Sequence, residues 1–235
     1  MNLLQKVWRA IMILKKLEME NFLPFYRHNE INFSPQNGNT IILLKGNNGS
    51  GKSSTFAAMN FVFFSTPVES TDRVGPSGET KLLHEHDLVN TKYMRENDGT
   101  TSVTAHFTHD GDNYVFTRKI KFTKVDVSFP TGVCNVKCEH DECIKKKMEH
   151  ANILEEAKKK SCVLGEFIAT KNGAEETWPD DPVRRKKKQN QYIEAIIPKE
   201  SSKYYFFDGE KISGYTNIPP SDPIKSVIEK LLGIR

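Results

Sequence analysis

The 235-residue sequence has no apolar run long enough to span a bilayer, which argues against a membrane-spanning helix. Cysteine is scarce: four residues, unevenly placed, do not make a secreted disulfide framework. Charge of neither sign dominates, and a net charge of +4 identifies no partner, so only the distribution of charge is informative. No segment repeats, which sets aside solenoid architectures. The length suits one good-sized α/β domain with room for an insertion. Met1 to Leu14 is apolar, but Lys6 and Arg9 interrupt it and no small-residue cleavage site follows, so it does not read as a signal peptide. Leu3, Leu4, Val7, Trp8 and Ile11 share one helical face, which predicts a docking helix or an extension over 1–11 ahead of a start near Met12. These features predict a cytoplasmic protein with no membrane partner.

What is present is a phosphate cradle. Thr40-Ile41-Ile42-Leu43-Leu44-Lys45 reads as a buried strand and runs into Gly46-Asn47-Asn48-Gly49-Ser50-Gly51-Lys52-Ser53, the G-x-x-x-x-G-K-S pattern. A helical stretch, Ser54 to Phe64, follows. Glycines let backbone N–H groups converge on phosphate oxygens without Cβ clashes. The helix start adds its positive end to the same anion. The pattern predicts Lys52 on the β- and γ-phosphates of ATP and the Ser53 hydroxyl on Mg²⁺, with Ser54 closing the cradle.

Around this core, Ile13 to Glu20 alternates as a strand and Ile31 to Phe33 reads as its hairpin partner, with Pro24 and Arg27-His28-Asn29 in the turn. Thr66 to Gly78 carries Pro67, Gly75, Pro76 and Gly78 and reads as a loop; Lys81 to Asn90 reads as a short helix. Asp98-Gly99 opens a β-meander in which Val103, Ala105 and Phe107 alternate with polar residues, Asp110-Gly111 turns, and Tyr114 to Phe122 returns. Residues 129–162 change character, collecting cysteines and then a Lys/Glu-rich helix, and read as an insertion. Val163 to Trp178 returns to strands around Asn172-Gly173, and Pro182 to Ile197 is helical up to Pro198. Tyr204 to Phe207 is a short buried-strand candidate, and residues 224–235 begin an amphipathic helix.

A P-loop needs a carboxylate for the metal shell and a group to position water. Tyr204-Tyr205-Phe206-Phe207-Asp208 is the one apolar run ending in Asp, so Asp208 reads as the Mg²⁺ carboxylate and Glu210 as the base. Ser77-Gly78-Glu79 looks like a signature that caps ATP in trans, but it follows the P-loop too soon. Cys134, Cys138, His140 and Cys143 carry zinc-ligating atoms at an unusual spacing, and a reduced cysteine loop is the plainer reading. The runs Lys145 to Lys147 and Lys158 to Lys160 are interleaved with acids and read as a solvated helix face. The unbroken Arg184-Arg185-Lys186-Lys187-Lys188 is a candidate contact to DNA phosphates. His84, Glu85, His86 and Asp87 cannot all face one point and read as surface residues. Arg118 supports either the nucleotide sheet or a surface pair.

Glu20-Asn21-Phe22, the first hairpin, the P-loop and the meander ending in Tyr114-Val115-Phe116-Thr117-Arg118 resemble the N-terminal lobe of the SMC-like, double-strand-break-repair type ABC ATPases. Within that group, Ile196-Ile197-Pro198 followed by Tyr205-Phe206-Phe207-Asp208-Gly209-Glu210-Lys211-Ile212 is similar to the DndD family of DNA sulfur-modification ATPases. Ile228 to Ile234 resembles the segment that leads into their coiled coil. The resemblance covers most of the chain from Met12 and is sparse between Phe122 and Tyr192. It implies an α/β P-loop fold with a flanking antiparallel meander, and a role for Asp208 to Glu210 as the hinge segment that senses Mg²⁺ and the γ-phosphate. Most relatives have Gln where this chain has Asp208, and hard-oxygen ligation permits the carboxylate. It implies that a basic residue near Arg27 or His28 approaches the phosphates. It implies DNA as a partner, and a C-terminal lobe or second head that supplies the remaining catalytic groups. Two other readings stay open: a self-contained small NTPase using Asp208 and Glu210, and a non-catalytic module in which nucleotide tunes binding.

Overall fold

The structure, a computed structural model, describes residues 12–34, 44–47, 49–65, 68–74, 80–125 and 141–197; for 68–74, 80–82, 141–150 and 163–164 it describes the backbone alone. Alternating sequences build its main sheet. Strands β1 (Ile13–Phe22), β2 (Phe25–Asn32), β5 (Gly99–His109), β6 (Asp112–Phe122), β7 (Cys162–Lys171) and β8 (Ala174–Glu175) lie in the order β2-β1-β5-β6-β7-β8, every neighbouring pair antiparallel. One face is apolar, with Leu17 and Met19 from β1, Val103, Ala105 and Phe107 from β5, Phe116 and Ile120 from β6, and Phe167 and Ala169 from β7. The other face is polar; Thr104 and Thr117 share a hydrogen bond across it at 3.0 Å, and Glu18 pairs with Lys16 and His106. The β5–β6 register runs unbroken from Gly99↔Phe122 to His109↔Asp112. Asp110 and Gly111 close it with φ of 53° and 85°, the two left-handed positions that a tight hairpin demands.

Helix α1 (Lys52–Phe64) lies on the apolar face and buries Thr55, Ala57, Ala58, Phe61, Val62 and Phe63. Its second half is apolar on nearly every side, as a helix sunk into a core must be. Phe63 meets Phe107 at 5.5 Å and Phe116 at 6.2 Å between ring centroids, and Phe61 meets Phe22 at 5.8 Å. Burying each such ring contributes about 1.5–3 kcal/mol. Residues 68–74 form a strand, β3 (Val68–Val74), paired with β4 (Thr80–Leu83), where a loop and the start of a helix were expected. Only one turn of helix, α2 (Glu85–Leu88), remains of the helix expected over 81–90. It is followed by α3 (Thr91–Glu96), which the Asn90 side chain caps. The first hairpin is tighter than expected. It turns at Leu23 and Pro24, and Arg27 to Asn29 belong to β2.

Helix α4 (Asp141–Ser161) occupies the second half of the expected insertion, and Leu154 and Ala157 near its end pack on the core. Helix α5 (Pro182–Ile196) starts where the sequence puts it: Asp181 accepts from the Arg184 N–H at 2.7 Å, and Pro182 stands in the first turn. Trp178 and Tyr192 anchor it, ring centroids 5.6 Å apart. Among the described residues no helix is long and apolar enough to cross a membrane.

Candidate functional site: the two ends of helix α1

The chain enters α1 through two left-handed glycines, Gly49 at φ 80° and Gly51 at φ 92°. The Ser50 N–H donates to Asn47 O at 3.1 Å and closes the turn. Gly51 is the helix N-cap, and it offers no side chain to the first-turn amides. No acidic residue stands in that turn either. Helix starts normally recruit a side-chain oxygen for these donors. Here the uncapped first turn, the positive helix end and Lys52 stand together at the loop, an arrangement whose chemistry suits an anion. Lys52 is exposed, and its Nζ donates to Gly46 O and Asn47 O, each at 2.8 Å, so it already curls over the loop. Ser53 is exposed beside it and Ser54 half-buried. The donor set suits a triphosphate, and the Ser53 hydroxyl suits one position of a hard cation's oxygen shell. The helix begins at Lys52, two residues earlier than the apolar pattern suggested. Of the strand expected before the loop, residues 40–43 lie outside the described residues, as does Asn48; Leu44 and Lys45 are not in a strand.

The first hairpin braces the loop. A Cβ built on Gly51 would meet the Phe25 ring at 2.9 Å, so the β2 start and the helix start are in direct contact and only glycine fits. Buried amides fix that hairpin. Asn21 accepts from the Arg27 N–H at 2.9 Å and donates to Thr100 O at 3.2 Å. Asn90 donates to Leu23 O at 2.7 Å. Arg27 itself is exposed at φ 59°, its guanidinium 5.4 Å from the Tyr26 ring.

The opposite end of α1 is closed. Ser65 turns left-handed and its N–H takes Phe61 O at 3.1 Å. Arg118 is buried beneath, Nε donating to Val62 O at 2.9 Å and Nη2 to Phe63 O at 3.5 Å. Arg118 is therefore no surface pair: it bonds carbonyls in the last turn of the helix that follows the loop, where support of the sheet was the other expectation. A cavity of about 420 Å³ opens beside this end, lined in part by Phe61, Ser65, His84, His86, Lys159 and Cys162. The expectation that His84 to Asp87 are all surface residues fails. His86 is 7% exposed and stacks on His84 at 5.6 Å. Its Nε2 has no hydrogen-bond partner among the described residues, and Asp87 Oδ2 lies 3.7 Å away. Burial lowers the His86 pKa, against the pull of Asp87. Burial pushes the Cys162 thiol up to about 11, so it stays protonated and unreactive at neutral pH.

The basic cluster lies on the first two turns of α5, where residues 182–188 are exposed at every position. Arg185 is held back by Pro179 O and Asp180 O, both at 2.9 Å; Arg184, Lys186, Lys187 and Lys188 extend the positive surface. Asp208, Glu210, Cys134, Cys138 and His140 lie outside the described residues, as does the Cys143 side chain. Among the described residues no group of three or more His, Cys, Asp or Glu is placed to hold a metal.

A family model described as AAA domain matches residues 16–217, most of the chain. The chain is also 36% identical over 108 residues to the DNA double-strand break repair Rad50 ATPase of Methanococcus maripaludis. That match covers 46% of this chain and 9% of the relative, so the chain spans a small part of that relative's length.

Proposed function

Starting from a chain that belongs to the AAA-domain family, we propose that it is the ATP-binding lobe of an SMC-like, DNA-associated ATPase, of the kind that serves DNA sulfur modification, phage defence or DNA repair. The observation that carries this reading is the uncapped start of α1, with Gly49, Gly51 and Lys52 gathered over it. When bound, Mg²⁺ and ATP supply the charge and the reactive phosphoanhydride. The chain's own residues bind and orient. Backbone amides from Gly46 to Ser54 surround the phosphates, and Lys52 leaves its two carbonyls to neutralise them. Ser53 contributes one oxygen to the metal, and the segment Asp208 to Glu210 senses the γ-phosphate. Arg27 stands near enough in sequence to Phe25 to approach the same loop.

This lobe is one half of a head. A C-terminal lobe or second head completes the site, and hydrolysis by the lobe alone is slow. The whole chain, 1–235, forms that lobe, with 1–11 as an extension, 129–162 as an insertion and 224–235 leading into a coiled coil; it works in the cytoplasm. DNA lies against Arg184 to Lys188 through its phosphates, without sequence preference. Binding of duplex DNA should therefore weaken steeply between low and moderate salt, and replacing Lys186 to Lys188 by Glu should flatten that dependence.

The decisive test is Lys52→Ala in a titration with MgATP. Loss of measurable binding is expected; an affinity equal to that of the unaltered chain refutes the phosphate cradle.

A further inference from the structure

We propose that Arg118 is a positioning residue for the nucleotide site, fixing the far end of α1 and, through that rigid rod, the loop at its start. The proposal rests on the reading of residues 46–54 as a phosphate cradle. An α-helix leaves its last carbonyls without partners. In α1 the Ser65 N–H satisfies Phe61 O, and Arg118 satisfies Val62 O and Phe63 O through a forked pair. The guanidinium carbon lies 4.4 Å from the Phe167 ring centroid, and the residue is 8% exposed. Burial lowers its pKa to about 10, with Glu85 opposing, so it stays charged at neutral pH. A buried cation is costly unless it is paired. Here it meets the negative end of a helix whose positive end faces the loop.

The mechanical argument is leverage. Thirteen residues make a rod about 20 Å long. One end rests on Phe25 through Gly51, and the other is held by Arg118 from β6. Removing the second support lets the rod tilt about the first, which displaces the amides that hold phosphate. Binding sites lose much of their affinity when such groups move by a fraction of an ångström.

The test compares Arg118→Met, Arg118→Lys and Met94→Ala, a buried change on α3, in the full chain. Each is measured for melting temperature and for the affinity of a fluorescent ATP analogue with Mg²⁺. Arg118→Met is expected to weaken nucleotide binding about tenfold, the loss of roughly one charged hydrogen bond. Arg118→Lys keeps the charge but not the fork, and should recover part of it. Met94→Ala should lower the melting temperature and leave affinity unchanged, which separates positioning from stability. If Arg118→Met binds nucleotide as tightly as Met94→Ala while Lys52→Ala does not bind, the role of Arg118 is refuted and the cradle stands. If Lys52→Ala binds normally, the cradle fails first. Should Arg118→Met not fold, Arg118→Lys and hydrogen exchange on the unaltered chain decide. MgATP should slow exchange at the amides of residues 62–65 as well as in the first turn, and protection confined to the first turn overturns the proposal.

Discussion

The two ends of helix α1 are built to opposite specifications. At the start, Gly51 stands where a capping side chain normally would, Lys52 and Ser53 are exposed, and among the described residues Lys52 donates to two carbonyls of its own loop. At the finish, each of three consecutive carbonyls from Phe61 to Phe63 has a partner, and the side chains around them are buried. A helix needs both ends satisfied. One end of α1 is satisfied by buried groups of the protein; at the other, the proposed function has phosphate meet the first-turn amides. The difference separates an end that holds the fold from the end to which the proposed function assigns the nucleotide.

The contrast can be broken most violently at the closed end. Phe63→Ala removes a fully buried ring that touches Phe107 and Phe116, and should cost about 3–5 kcal/mol in chemical denaturation. A cost under about 1 kcal/mol would mean that this end is not the anchor. The open end gives a graded test with two glycines. Gly51→Ala combines a left-handed φ with a collision against Phe25 and should cost about 2–4 kcal/mol. Gly49→Ala meets nothing and should cost about 1–2 kcal/mol from backbone strain alone. Equal losses would remove Phe25 as a brace.

The smallest effect concerns acid. Burial lowers the His86 pKa, so near its ordinary value of 6.5 the unfolded chain binds more protons than the folded one. Its contribution is complete above pH 6.5 and is lost as pH falls through that value towards the lower folded one. Asp87, at 3.7 Å, opposes the loss, and His84, Lys159 and Glu155 also act on it. Thermal melts of His86→Phe should show a shallower decline below pH 6.5 than the unaltered chain; parallel declines would assign the acid sensitivity elsewhere.

Much of this was legible in the sequence wherever one physical rule dominated. Strict alternation and Asp110-Gly111 place β5 and β6, and Asp181-Pro182 places the start of α5. The glycine spacing locates the loop, and the structure adds the left-handed angles that require it. Where local rules compete, the sequence misleads. Val68–Val74 sits between Pro67 and Gly75 and reads as loop, yet it pairs with Thr80–Leu83, a contact no local pattern announces. His86 stands in a polar run and is buried because α2 packs beside the end of α4. Arg118 was decidable in principle. It shares the inward parity of Tyr114, Phe116 and Ile120, so its side chain had to enter the core and find oxygen there. The contact of Phe25 with Gly51 had no sequence signal, since it joins two elements far apart in the chain.

The central claim is that the loop from Gly46 to Ser54 wraps a triphosphate. The most direct measurement is a crystal structure of the chain with a non-hydrolysable ATP analogue and Mg²⁺. The account predicts phosphate density against the Gly49 to Ser53 amides, with the Lys52 ammonium moved off Gly46 O and Asn47 O and onto it. Density at saturating analogue showing Lys52 still on those carbonyls and no phosphate above them would contradict it.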